Sequence, residues 1–163
     1  MKIALATDHT GFELMSQLKE SLKQKGYYCV DFSPDRFTPT DDYPDFIIPA
    51  ARAVATGECD MGIIMGGSGQ GEAMAANRIK GIRCSVYYGP ATPIGSIDIN
   101  ATSASDEYEI VRLSRTHNNA NILSLAARFV TPEEMKKVVD IWLTTPFENV
   151  ERHLRRIIKL DEC

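Results

Sequence analysis

Four glycines fall within six residues, Gly66-Gly67-Ser68-Gly69-Gln70-Gly71, and lead directly into Glu72. The run follows a short apolar stretch and opens a helical pattern. Backbone without side chains can approach a ligand closely, and a helix start presents free N–H groups. That pairing favours a phosphate or an oxyanion. No Lys-Ser/Thr follows, so this is not a Walker loop, and its spacing and its place after the third strand separate it from the dinucleotide fingerprint. The plainer alternative is a tight turn that only packs helix against strand. Glu72 also has two readings. An acid in a first helical turn favours the helix dipole; the same carboxylate set against a substrate carbon is a base. The neighbouring amides are expected to lower its pKa.

Asp8-His9 closes the first strand. Asp8 is either a helix cap beside a surface histidine, or the two residues hold a ligand. His117, with Asn118 and Asn119, ends a helix, where a histidine also suits the dipole. Arg152 and Arg156 lie one helical turn apart, so both guanidinium groups can converge on one anion. The three histidines are far apart in sequence and lack metal-ligand spacing, so no structural or catalytic metal is expected; no cofactor is expected either. Cys29, Cys59, Cys84 and Cys163 show no CxxC spacing. Cys29 and Cys84 lie in apolar runs and are expected to be buried in a reduced, cytoplasmic setting.

Strands are predicted at Lys2–Thr7, Tyr28–Phe32, Met61–Met65, Ile82–Tyr87 and Asn121–Ala126. Helices are predicted between them: Phe12–Lys25, a second after Asp42-Tyr43-Pro44 with Pro49 inside it, Glu72–Ile79, Glu107–Thr116, and a fifth after Thr131-Pro132. The last, about 148–160, carries an apolar stripe of Val150, Leu154, Ile157 and Ile158, with Arg152, Arg155 and Arg156 opposite. Strand–helix alternation with buried strands implies an α/β fold: a three-layer α/β/α Rossmann-like domain on a five-stranded parallel sheet. Ligands of such sheets sit beyond the carboxyl ends of the strands. The stretch 89–106 lacks helical periodicity and reads as a long loop, either shaping a pocket or inert.

The 163 residues suit one domain, 1–163. A net charge of -4 argues against nucleic acid or an anionic membrane as the main partner. No apolar run approaches the ~20 residues that span a bilayer.

Several motifs in register carry a resemblance. They are Thr7-Asp8-His9-Thr10-Gly11-Phe12, Asp42-Tyr43-Pro44-Asp45, Gly66–Glu72 with Ala75-Ala76-Asn77-Arg78, Gly81-Ile82-Arg83, Leu113–Asn121, and Arg152-His153-Leu154-Arg155-Arg156. Together they resemble the type B ribose-5-phosphate isomerase family, which includes the galactose-6-phosphate isomerase subunits. Many members carry a cysteine base at the position matching Gly66; this chain resembles the subgroup in which the glutamate does that work. The resemblance implies a metal-free aldose–ketose isomerase acting on a small phosphorylated sugar through an enediolate. It also implies a homodimer with shared active sites, or a dimer of dimers. By position, Glu72 would move the proton and His117 would open the sugar ring. Ser68, Asn118 and the amides of Gly67, Gly69 and Gly71 would hold the enediolate oxygen. Asp8 would hold a sugar oxygen and Tyr43 would line the pocket. His9, Arg128, Arg152 and Arg156 would bind phosphate. Ribose 5-phosphate is the first substrate implied. Galactose 6-phosphate, allose 6-phosphate or a tetrose phosphate is an alternative, as is a non-catalytic sugar-phosphate-binding subunit. The insertion at 89–106 departs from the family and points to an altered substrate range.

Overall fold

The computed structural model describes residues 1–162; Cys163 lies outside them. Strands β1 (Lys2–Thr7), β2 (Tyr28–Asp31), β3 (Met61–Gly66), β4 (Cys84–Tyr87) and β5 (Ile122–Ala126) form one sheet in the order β2-β1-β3-β5-β4. Every pairing is parallel, with Ile3 opposite Met61 and Gly66 opposite Ala126. The α/β/α expectation therefore holds, with strand ends within two residues of those predicted.

The alternation of residue size along β1 explains the layers. Ile3 and Leu5 point to one face and pack with helices α1 (Phe12–Gln24) and α5 (Pro132–Thr144), through Met15, Leu18, Val138 and Trp142. Ala4 and Ala6 point to the other, where α2 (Pro44–Ala55) brings Ile47, Ala50 and Val54 and α3 (Gln70–Ala76) brings Ala76. Small residues on both sides of that layer let α2 lie close to the sheet. Pro49 does not break α2. Helix α4 (Glu109–Thr116) precedes β5, and α6 (Glu151–Asp161) ends the described chain.

Two expectations are corrected. Cys59 is buried, whereas Cys29 and Cys84 are only partly so; both sit on edge strands, which one layer covers incompletely. The apolar stripe of α6 is mostly left open by its own chain: Val150, Leu154 and Ile158 are exposed, Ile157 is half-buried, and His153 is the buried residue of that helix.

Residues 89–106 form a long excursion between β4 and α4. Its ends are tied, since Ala91 N–H donates to the Glu107 carbonyl at 2.8 Å. Tyr108, just beyond, is buried and donates its hydroxyl to Glu134 at 2.9 Å; Tyr87 donates to the same carboxylate. Within the excursion Asp98 caps a turn, accepting from Asn100 N–H at 2.8 Å and from the Thr102 hydroxyl at 2.8 Å.

Candidate active site

The sheet changes direction between β1 and β3, since the chain moves from β1 outward to β2 and then back to β3 on the other side. A crevice beyond the strand ends is expected there. Asp8 leaves β1 at this point and is buried. Its carboxylate caps the short turn His9–Gly11 by accepting from Thr10 N–H at 2.8 Å. His9 is not a free surface residue: its backbone N–H and ring Nδ1 both meet Asp41 Oδ1, at 3.2 and 2.6 Å. Asp41 fixes the ring, which leaves Nε2 for a ligand.

Gly66 ends β3, and the space a side chain would take there is filled. A Cβ on Gly66 would collide with the Glu72 carboxyl carbon and Oε1 and stand 2.7 Å from Oε2. Glu72, in the first turn of α3, thus folds its carboxylate back onto the end of the strand. The turn that permits this uses Gly69 at φ +73, with its carbonyl accepting the Ser124 hydroxyl at 2.7 Å. Ser68 is exposed, and its hydroxyl accepts from Gln70 N–H at 3.3 Å. The Tyr43 ring rests on Gly71, and the Arg128 guanidinium stands beside Gly67 with Thr10 nearby.

Glu72 is only 5% exposed. Its pKa is raised, first by burial and also by the Asp8 charge, against the opposing pull of its own backbone amide. The expectation that the helix amides would lower it is therefore corrected. Burial on the sheet end outweighs them, and the direction suits a proton-transfer group.

A second group forms away from the first. His117, just past α4, stacks on His153 of α6 with ring centroids 4.3 Å apart and planes 19° from parallel. Glu148 Oε2 stands 4.0 Å from His117 Nε2 and 3.9 Å from His153 Nε2. Arg152 Nε–H donates to His153 Nε2 at 3.2 Å. Asn118 is exposed, and its carbonyl accepts from Arg83. Arg156 is exposed on the same helix as Arg152. Among the described residues, no hydrogen bond or ion pair within one chain joins this group to the one around Glu72.

The sequence separation of the histidines did not prevent two of them from meeting. His117, Glu148 and His153 form one group with metal-ligand reach, and Asp8, His9 and Asp41 another. In the first, Arg152 already donates to His153 and adds positive charge; in the second, His9 Nδ1 is engaged by Asp41. Sequence reading missed Asp41, Glu148 and His153. Asp41 stood in an unremarkable Asp-Asp pair, and His153 was hidden inside an arginine motif.

The family model described as Ribose/Galactose Isomerase matches residues 3–96 and 96–160. This chain belongs to that family. The break at residue 96 falls inside the excursion between β4 and α4. Ribose-5-phosphate isomerase B of Mycobacterium leprae (strain TN) is 36% identical over 162 residues, covering 99% of this chain and 89% of its own. A probable ribose-5-phosphate isomerase B of Mycoplasma genitalium is 38% identical over 159 residues, covering 97% of this chain and 92% of its own. The solved structure of ribose-5-phosphate isomerase B from Mycoplasma genitalium with bound ribulose-5-phosphate matches with a TM-score of 0.84 at 37% identity. That match covers 99% of this chain and 94% of that one. The fold of the ribose/galactose isomerase family thus runs along nearly the whole chain, and no described helix is long and apolar enough to cross a membrane.

Proposed function

We propose that this protein interconverts ribose 5-phosphate and ribulose 5-phosphate, with Glu72 as the base. One observation carries the reading: the buried Glu72 carboxylate fills the side-chain space of Gly66 at the carboxyl end of β3. In this reading Glu72 takes the proton from C2 of the open-chain aldose and returns it to C1. The enediolate oxygen between these events is held by the amides of Gly67, Gly69 and Gly71 with Ser68 and Asn118. Asp8 holds a sugar oxygen, Tyr43 lines the pocket, and His117 opens the furanose ring. His9, Arg128, Arg152 and Arg156 hold the phosphate, which positions the reacting carbons. No metal or cofactor enters these steps. Residues 1–163 act as one isomerase domain, and a cytoplasmic setting fits the unpaired thiols of Cys29, Cys59 and Cys84 among the described residues. The deciding assay follows isomerisation and solvent-proton exchange over a panel of aldose and ketose phosphates; a protein that binds them without turnover is a binding subunit instead.

The site is shared between two copies in this proposal, as a dimer or a dimer of dimers. Its support is the separation of the Glu72 and Arg152 groups and the exposed apolar residues of α6. A co-expressed mixture of Glu72→Gln and Arg152→Ala chains tests it. Random pairing makes half the dimers mixed, each with one intact site, so about a quarter of wild-type activity should return at low substrate. No recovery above the mean of the two variants would place each whole site in one chain.

The excursion at 89–106 is proposed to set the substrate range. Asp98 and Asn100 line a cavity of about 490 Å³ together with Glu148, Val150 and Arg152, at the proposed phosphate end. Because Ala91 and Glu107 already touch, the segment between them can be replaced by a short glycine link. That variant should change the ranking of kcat/KM among four-, five- and six-carbon sugar phosphates by about tenfold. An unchanged ranking would remove the idea.

A further inference from the structure

His153 is the least exposed residue of α6, yet the reaction proposed above gives it no work. It is 1% exposed. Two groups that the reaction does use rest on it from different sides. Arg152 Nε–H donates to its Nε2 at 3.2 Å, and the His117 ring lies over its face at 4.3 Å. We infer that His153 is a positioning residue that sets two things at once, the direction of the Arg152 guanidinium and the plane of the His117 ring. The inference rests on the roles proposed for Arg152 and His117.

The chemistry follows from the hydrogen bond. An arginine only donates, so the His153 nitrogen that meets it must be the unprotonated one. His153 is therefore neutral, with its proton on Nδ1. The surroundings agree on balance: burial opposes a charge on His153 most, and His117, Arg152 and Arg156 oppose it too, against Glu148, which faces both rings and favours one. A neutral ring under His117 leaves His117 as the member of the stack that can carry a proton to the sugar ring oxygen. The guanidinium, held at Nε, keeps its two terminal nitrogens for a phosphate.

Two variants separate the contacts. His153→Phe keeps a ring under His117 but removes the acceptor for Arg152. His153→Gln keeps an acceptor but removes the ring. His153→Phe should weaken inorganic phosphate binding, read by calorimetry, about tenfold, while His153→Gln stays within about twofold of wild type. The second readout compares net ribose 5-phosphate turnover with C1 proton exchange on ribulose 5-phosphate. The ketose has no ring to open, so exchange bypasses His117. His153→Gln should lower turnover about tenfold relative to exchange, and His153→Phe should leave that ratio near wild type. Equal losses from both variants in both readouts, or no loss in either, would overturn the inference. A measurement on the unaltered protein stands behind them. Nitrogen-15 spectra at neutral pH should show His153 neutral and protonated at Nδ1; a proton on Nε2 would sink the inference whether or not either variant folds. The phosphate and spectral arms need no turnover. Failure there with an active enzyme refutes this inference alone, and an inactive protein refutes the isomerase reading alone.

Discussion

Glu72→Gln is expected to lower kcat for ribose 5-phosphate by about 10³-fold while sugar-phosphate affinity changes little, because glutamine keeps the shape and loses only the base. Exchange at C1 of ribulose 5-phosphate should fall with it, since both need the same proton acceptor. The pH behaviour adds a second signature. Burial holds the Glu72 pKa above its ordinary value of 4.5, so kcat/KM of the unaltered enzyme should climb with pH as the carboxylate forms, and that limb should vanish in the variant. The sign for stability is opposite. Above the ordinary value the native state holds the proton more tightly than the unfolded chain, so stability falls as pH rises through the shifted pKa. The neutral amide escapes this. Glu72→Gln should therefore melt higher than wild type near neutral pH, with the gain shrinking as pH falls from the raised pKa towards the ordinary value of 4.5 and absent below it. Thermal melts across that range, run beside the rate assays, give both answers. Turnover that survives the substitution would remove Glu72 from the chemistry.

Much of the scaffold for this site was legible because each central strand is buried on both faces and writes itself as an unbroken apolar run. Lys2–Thr7 and Met61–Gly66 could not be mistaken for surface strands. The glycine loop and Asp8 followed from their places at strand ends. Other features depend on what the fold places opposite a residue, and one chain's periodicity does not carry that. The stripe Val150, Leu154 and Ile158 announced an apolar face, yet nothing in its spacing said that its own chain leaves it uncovered. His9 gains Asp41 from 32 positions away, and His117 gains His153 from another helix. The direction of the Glu72 shift departs from the sequence expectation for the same reason. Local sequence displays the amides of the helix start, whereas the burial that outweighs them comes from the strand end above.

That strand end makes Gly66 as decisive as Glu72, although it offers no functional group. Alanine there adds one carbon in the space held by the carboxylate, so either Glu72 swings out or the loop shifts. Displacement of a reacting group by about 1 Å can cost about 10²-fold, and Gly66→Ala should lower kcat by at least that factor with the protein still folded. The double variant Gly66→Ala, Glu72→Gln should be little worse than Glu72→Gln, because both changes remove the same event. Independent losses that multiply would mean that Gly66 serves something else, such as the approach of the sugar. The resemblance to enzymes with a cysteine at this position gives the reciprocal test. In a Glu72→Ala background, Gly66→Cys places a thiol into the vacated volume. The pair should turn over faster than Glu72→Ala alone and lose that gain to iodoacetamide. A thiol that restores nothing would show that the two bases do not occupy one position in space.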